Sequence, residues 1–196
     1  MSVQLLTIAM TGASGAPYTI ALMRHCLQQG IQLQFLCSQP GQVVMGMESD
    51  LRLGGSTQKI RARLAEYFEC AADQIEVYAK DQWTAPPASG SSVADATVVC
   101  PCTMGSLASI ASGTSDNLIH RAADVIIKER RPLVLVPRET PLSSIHLENM
   151  LKLSNIGVTI LPPNPGFYQG VKNVDDLVNF VVARILDQLG IADQLS

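Results

Sequence analysis

Two stretches of the chain join small residues and hydroxyls to the abrupt end of an apolar run. The first is Thr11-Gly12-Ala13-Ser14-Gly15-Ala16, which follows Leu5–Met10 and leads into helical spacing from Pro17 to Gln29. Strand, tight turn and helix N-terminus in that order leave backbone N–H groups at the positive end of a helix dipole, where an anion is stabilised. Ser14 adds a hydroxyl. Pro17 suits a first helical turn because its missing N–H would go unpaired there. The glycines do not form G-x-G-x-x-G, and no G-x-x-x-x-G-K-[ST] occurs, so neither the dinucleotide fingerprint nor a P-loop is present. A tight turn without a ligand fits these residues as well as an anion site does. The second stretch, Pro101-Cys102-Thr103-Met104-Gly105-Ser106, again follows a buried apolar run and opens a helix.

Charged and aromatic side chains in comparable places extend the list. Arg138-Glu139 directly follows the apolar run Leu133–Pro137, and Ser38 ends the run Ile31–Ser38. Lys128 stands in a charged helix end, where a solvated cation favouring the dipole is an equally good reading. Glu48 closes a short helix, and Arg184 interrupts an apolar helical stretch where a surface or interface ion pair would also fit. Trp83, the only tryptophan, opens a loop that continues through Pro86-Pro87 to Ser89-Gly90-Ser91. That loop either plugs Trp83 into the core or lines a pocket. Phe167-Tyr168 sits in a proline-rich loop after the last apolar run.

The elements that must position these residues follow from periodicity. Apolar runs at Leu5–Met10, Ile31–Ser38, Ile75–Ala79, Ala96–Cys100, Leu133–Pro137 and Val158–Leu161 read as strands. Between them, Pro17–Gln29, Gln42–Met47, Thr57–Cys70, Leu107–Ser112, Asn117–Arg131, Ile145–Ser154 and Val174–Leu189 read as helices. Continuous apolar strands alternating with helices predict an open parallel sheet covered on both faces. Ligands bind such sheets beyond the carboxyl ends of the strands, and the loops at Gly12–Gly15, Ser38, Thr103–Ser106, Arg138-Glu139 and Phe167-Tyr168 all leave carboxyl ends. The 196 residues, 47% hydrophobic, suit one α/β domain spanning residues 1–196. A net charge of −3 argues against a nucleic-acid partner. No apolar run reaches membrane-spanning length and no signal peptide is apparent, so a cytoplasmic protein is expected. The five cysteines lack C-x-x-C spacing and read as reduced, buried thiols.

Taken together, the motifs T-G-A-S-G-A, A-P-P-A-S-G-S, C-P-C-T-M-G-S-L, A-A-D-V-x-x-K-E-R-R-P-L-V-L-V-P-R-E-T-P, H-L-x-N-M and P-P-x-P-x-F-Y resemble the flavin prenyltransferases of the UbiX/Pad1 family. The match covers nearly the whole chain. The resemblance implies a Rossmann-like (flavodoxin-like) single domain that moves a dimethylallyl group from dimethylallyl phosphate to reduced FMN. The bond forms first at N5 and a fourth ring then closes at C6. No metal is implied. The prenylated FMN would serve a UbiD-type decarboxylase, with ubiquinone biosynthesis as the default context, and the assembly would be a homo-oligomer, typically a dodecamer.

By the same resemblance, Gly12, Ala13, Ser14, Ser38, Thr103, Met104, Gly105, Ser106 and Arg138 hold FMN, its phosphate near the first loop and helix. Many relatives carry Ser-x-x-Thr where this chain has Thr103 and Ser106. Ser89, Gly90, Ser91, Lys128, Arg138, Glu139, Tyr168 and Arg184 bind the substrate. Lys128, Arg138 and Arg184 would offset the departing phosphate's charge. A protonated Glu139, its pKa raised by burial beside an anion, would bond the phosphate or protonate it. Trp83 would face the allylic cation, and Ser14 with Glu48 would relay the proton lost on ring closure. His120 sits where relatives vary and takes no role. Two other readings are an FMN-dependent cysteine-type decarboxylase and a non-catalytic flavin carrier. The first expects a catalytic histidine and P-A-M-N where this chain has P-R-E-T. The second needs no Lys128, Glu139, Tyr168 and Arg184 together.

Overall fold

The structure, a computed structural model, describes residues 3–168 and 170–192; Gln169, inside the predicted loop 162–170, lies outside them. The described residues form six strands: β1 Leu5–Met10, β2 Gln32–Cys37, β3 Ile75–Tyr78, β4 Ala96–Cys102, β5 Leu133–Pro137 and β6 Thr159–Ile160. Seven α-helices separate or follow them: α1 Ala16–Gln28, α2 Gln39–Glu48, α3 Thr57–Phe68, α4 Met104–Ser112, α5 Leu118–Lys128, α6 Ser144–Asn155 and α7 Val174–Leu189. Every predicted element is present. Most bounds move by one or two residues. α5 ends three earlier, and α2 and α4 each gain three at their starts, where Ser38 and Thr103 cap them by accepting the Gly41 and Ser106 N–H groups at 3.0 and 3.2 Å.

All strands pair in parallel, in the order β3-β2-β1-β4-β5-β6. Successive side chains of a strand point to opposite faces, and the sequence fills both. Leu6, Ile8 and Met10 of β1, Leu33 and Phe35 of β2, and Val134 and Val136 of β5 face a core shared with α1, α3 and α7. Ala9, Leu36, Val99 and Leu135 face a second core shared with α4, α5 and α6. Both faces of β2 are therefore packed. No helix among the described residues is long and apolar enough to cross a membrane.

The strand order reverses between β1 and β4: the chain leaves β1 toward β2 and leaves β4 toward β5. Loops from the two carboxyl ends diverge there and open a crevice. Both small-residue stretches lie on its rim.

Candidate active site

Thr11, immediately after β1, ties the two loops of the crevice together. Its N–H and its hydroxyl both donate to the Pro101 carbonyl, at 3.1 and 2.8 Å. Its oxygen accepts the Thr103 N–H at 2.8 Å. Farther along α1, the Thr19 hydroxyl donates to the Cys100 carbonyl at 2.6 Å. In sequence Thr11 reads only as the residue before a glycine, so its part in holding the loops went unseen there.

The glycines of the first loop answer to packing. A Cβ on Gly12 would lie 2.4 Å from Cβ of Pro40, at the start of α2, so a larger residue cannot fit without moving that helix. Gly15 has φ 138°, a backbone that side chains disfavour.

The N-terminus of α1 already holds an anion, the protein's own. Glu48, the last residue of α2, accepts the Gly15 and Ala16 N–H groups on Oε2 at 2.8 and 2.9 Å. Burial acts to raise the Glu48 pKa, but the Ser14 hydroxyl, these two N–H groups and the Arg138 charge outweigh it and hold the carboxyl below its usual range. At the helix terminus itself Gly15 and Ala16 are thus engaged and Pro17 has no N–H to offer, which leaves the preceding loop as the part of this stretch with free donors. The N–H groups of Gly12, Ala13 and Ser14 have no partner among the described residues.

At α4 the arrangement differs. Thr103 is the cap, its hydroxyl oxygen accepting the Ser106 N–H at 3.2 Å. The Met104 and Gly105 N–H groups have no partner among the described residues, and Gly105 is exposed with open space around it. Unpaired donors at a helix N-terminus, two hydroxyls and the Arg138 guanidinium across the crevice suit a phosphate-bearing ligand. Ser38 faces the same rim, its oxygen capping α2. The residues present thus fit a flavin mononucleotide, with unpaired backbone donors in both loops of the crevice.

Arg138 and Glu139 leave the end of β5, where the Arg138 N–H donates to the Cys102 carbonyl at 3.3 Å. Both side chains are exposed, and Glu139 Oε1 accepts the Thr140 N–H at 3.0 Å. The burial that a protonated Glu139 requires is absent from the single chain. The Cys102 thiol at the same strand end is fully buried with its pKa pushed up, and burial pushes Cys100 up to about 12, so neither is a nucleophile.

The remaining candidates lie elsewhere. Trp83 is 49% exposed beyond β3, not plugged into the core. From it the loop descends along α5: the Leu118 N–H donates to the Lys80 carbonyl at the top of the helix, and Arg121 Nε donates to the Ala88 carbonyl halfway down. The descent ends with Gly90 against Lys128 and Glu129, whose side chains pair where a Gly90 Cβ would sit. Ser89, Gly90, Ser91 and Lys128 are thus together, but at the amino edge of the sheet. Arg131 beside them bonds the Val93 and Ala94 carbonyls that precede β4. Five residues of β5, about 16 Å at 3.3 Å per residue, separate that edge from Arg138. Tyr168 and Arg184 form a third group. The Tyr168 ring, 82% exposed, meets Phe180 edge to face at 6.2 Å, and Arg184 one turn below Phe180 pairs with Asp187.

One connected side chain was given no role from sequence. His120, on the first turn of α5, is buried with Nε2 3.3 Å from Ser106 Oγ. No motif carries it; only the approach of α5 to α4 brings it there.

Comparison with known proteins identifies the fold and the family. Residues 2–186 match the family model described as Flavoprotein. The chain is 55% identical over 190 residues to the flavin prenyltransferase UbiX of Pseudomonas aeruginosa, covering 97% of this chain and 91% of that protein. Among solved structures, a dodecameric FMN-dependent UbiX-like decarboxylase from Escherichia coli O157:H7 superposes with TM-score 0.86 at 39% identity, covering 97% of this chain and 96% of that one. AnUbiX (PadA1), solved in complex with FMN and dimethylallyl pyrophosphate, superposes with TM-score 0.85 at 38% identity, covering 96% and 93%.

Proposed function

The chain belongs to the flavoprotein family and within it is a flavin prenyltransferase of the UbiX type, and from that premise we propose how its residues divide the reaction between two sheet edges brought together from different subunits. The observation that carries this reading is the separation just described. Lys128 with Ser89–Ser91 lies at the amino edge, and Arg138-Glu139 at the carboxyl edge. One small phosphate cannot touch both edges of one chain. It can touch both where one copy's amino edge meets another's carboxyl edge.

FMN, when bound, supplies in its reduced form the positions N5 and C6 that accept the prenyl carbons. The chain holds it at the crevice, with Gly12, Ala13, Ser14 and Ser38 on one side, Thr103–Ser106 on the other, and Arg138 between flavin and substrate. Dimethylallyl phosphate is the donor. As its carbon–oxygen bond breaks, Arg138 and Arg184 offer forked donors and Lys128 a point charge to the departing phosphate. We assign that work to these side chains and not to a divalent ion. Tyr168 holds the phosphate end from the loop. Glu139, covered by the neighbouring subunit, donates a proton there, while Trp83 presents its indole face to the allylic carbon, a contact of about 0.5–2 kcal/mol. Ser14, bonded to a Glu48 kept anionic, is placed to take up the proton lost when the last ring closes.

The dodecamer of the Escherichia coli relative is the expected assembly. A cytoplasmic location and delivery of the product to a UbiD-type decarboxylase, as in ubiquinone biosynthesis, complete the reading. The test is to incubate the protein with FMN, a reductant, dimethylallyl phosphate and a chelator, and to weigh the bound flavin. Gain of one prenyl unit supports the assignment. Unchanged flavin beside intact substrate, or a reaction restored only by a divalent ion, counts against it.

A further inference from the structure

Phe167 and Tyr168 are neighbouring aromatics in one loop, both largely exposed. The structure separates them. Among the described residues, Tyr168 and not Phe167 has an aromatic partner. The Tyr168 ring meets Phe180 with centroids 6.2 Å apart and planes at 87°, the edge-to-face arrangement that ring quadrupoles favour. Phe180 comes from α7 and is partly buried against the core that this helix shares with α1, so it offers a fixed platform. Gly166 closes the other side. A Cβ there would lie 2.6 Å from Cε1 and 3.1 Å from Cζ of Tyr168, and 3.2 Å from Cζ of Phe180. Gly166 does not take a positive φ, so its backbone would accept a side chain; the two rings are what exclude one. Arg184 stands four residues after Phe180, on the same face of α7. Contact with Phe180 therefore sets the Tyr168 ring over the helix face that carries Arg184.

We propose that Phe180 and Gly166 are positioning residues that seat the Tyr168 ring beside Arg184, so that the two meet the phosphate of dimethylallyl phosphate as one preformed unit. The proposal rests on the reading that Tyr168 and Arg184 bind that phosphate. A tyrosine on an exposed loop must be ordered when it engages a ligand, and that ordering weakens binding. A ring already seated between a glycine and a core-packed phenylalanine is ordered beforehand. Phe180 and Gly166 act only through Tyr168 and touch no reacting atom.

The test is the rate of prenylated FMN formation against dimethylallyl phosphate concentration, beside a melting curve for each variant. Phe180→Leu keeps an apolar side chain but removes the ring. Gly166→Ala keeps Phe180 and displaces the Tyr168 ring, which is exposed and gives way before the backbone does. It lies in a loop, so it serves even where Phe180→Leu loosens α7. Each is expected to raise KM for dimethylallyl phosphate about threefold to tenfold, the scale of ordering one side chain. With kcat within about twofold of wild type, the loss is one of binding. Tyr168→Phe removes the hydroxyl and is expected to raise KM about tenfold or more, as for a hydrogen bond to a charged group. In that background neither Phe180→Leu nor Gly166→Ala has a further effect on KM, which a merely structural role would not produce. Unchanged KM in a folded Phe180→Leu or Gly166→Ala, or effects that persist in the Tyr168→Phe background, overturns the proposal while leaving Tyr168 at the phosphate. Unchanged KM in Tyr168→Phe overturns the phosphate reading and the proposal with it.

Discussion

At the scale of single residues, Glu48 shows how one side chain serves both fold and chemistry. Its carboxylate takes the place at the α1 N-terminus that a ligand phosphate would otherwise occupy. The donors that fix it there also hold its pKa down. A carboxyl group with a lowered folded-state pKa contributes stability that is complete above its unfolded value, near 4.5, and is lost as pH falls through the lower folded value. Glu48→Gln is therefore expected to be less stable than wild type at pH 7, by about 0.3–1 kcal/mol for an exposed charge on a helix dipole. The two melting curves should converge below pH 4.5. The activity loss should be far larger, about a hundredfold if Ser14 passes its proton to this carboxylate. A stability gap that widens in acid would show that the donors around Glu48 do not favour its ionised form.

At the scale of elements, the strands and helices were legible because most apolar runs end at or next to a glycine, a proline or a capping residue. Ser38, Thr103, Asn117, Ser143 and Asn173 all cap the helices they precede. The carboxyl-edge candidates were legible too, since a parallel sheet sends every strand end the same way. Contacts between elements were not. Nothing near Thr11 in the sequence says that it reaches Pro101 and Thr103, and nothing near His120 points to Ser106. Nor does the sequence say that a Cβ on Gly12 would meet Pro40. The surface of α6 raises a different question. Ile145, Leu147, Leu151 and Ile156 project on several sides of it and are all exposed, and only Leu153 is buried. Several large apolar side chains exposed on one helix and its C-cap mark a contact surface, and a second copy of this chain covers it on the proposed assembly. Leu151→Lys is expected to keep its circular dichroism spectrum while light scattering reports a smaller particle with lost transferase activity. An unchanged particle mass would remove α6 from the interface.

At the scale of the whole molecule, the fold separates what the reaction must combine. Exposed Arg138, Glu139, Trp83 and Tyr168 wait at one set of surfaces and Lys128 with the serine loop at another, so a single copy holds parts of a site. Charges left exposed in one subunit stabilise a departing phosphate strongly only once a neighbour excludes water. The direct measurement is complementation. Lys128→Ala and Arg138→Ala proteins are each expected to be inactive. After dissociation and reassembly in equal amounts, about a quarter of sites should pair an intact carboxyl edge with an intact amino edge under random head-to-tail contact. Prenylation of FMN by mixed particles, verified by native mass spectrometry, should recover to that fraction of wild type. Verified mixed particles that form no prenylated flavin would contradict a site shared between subunits.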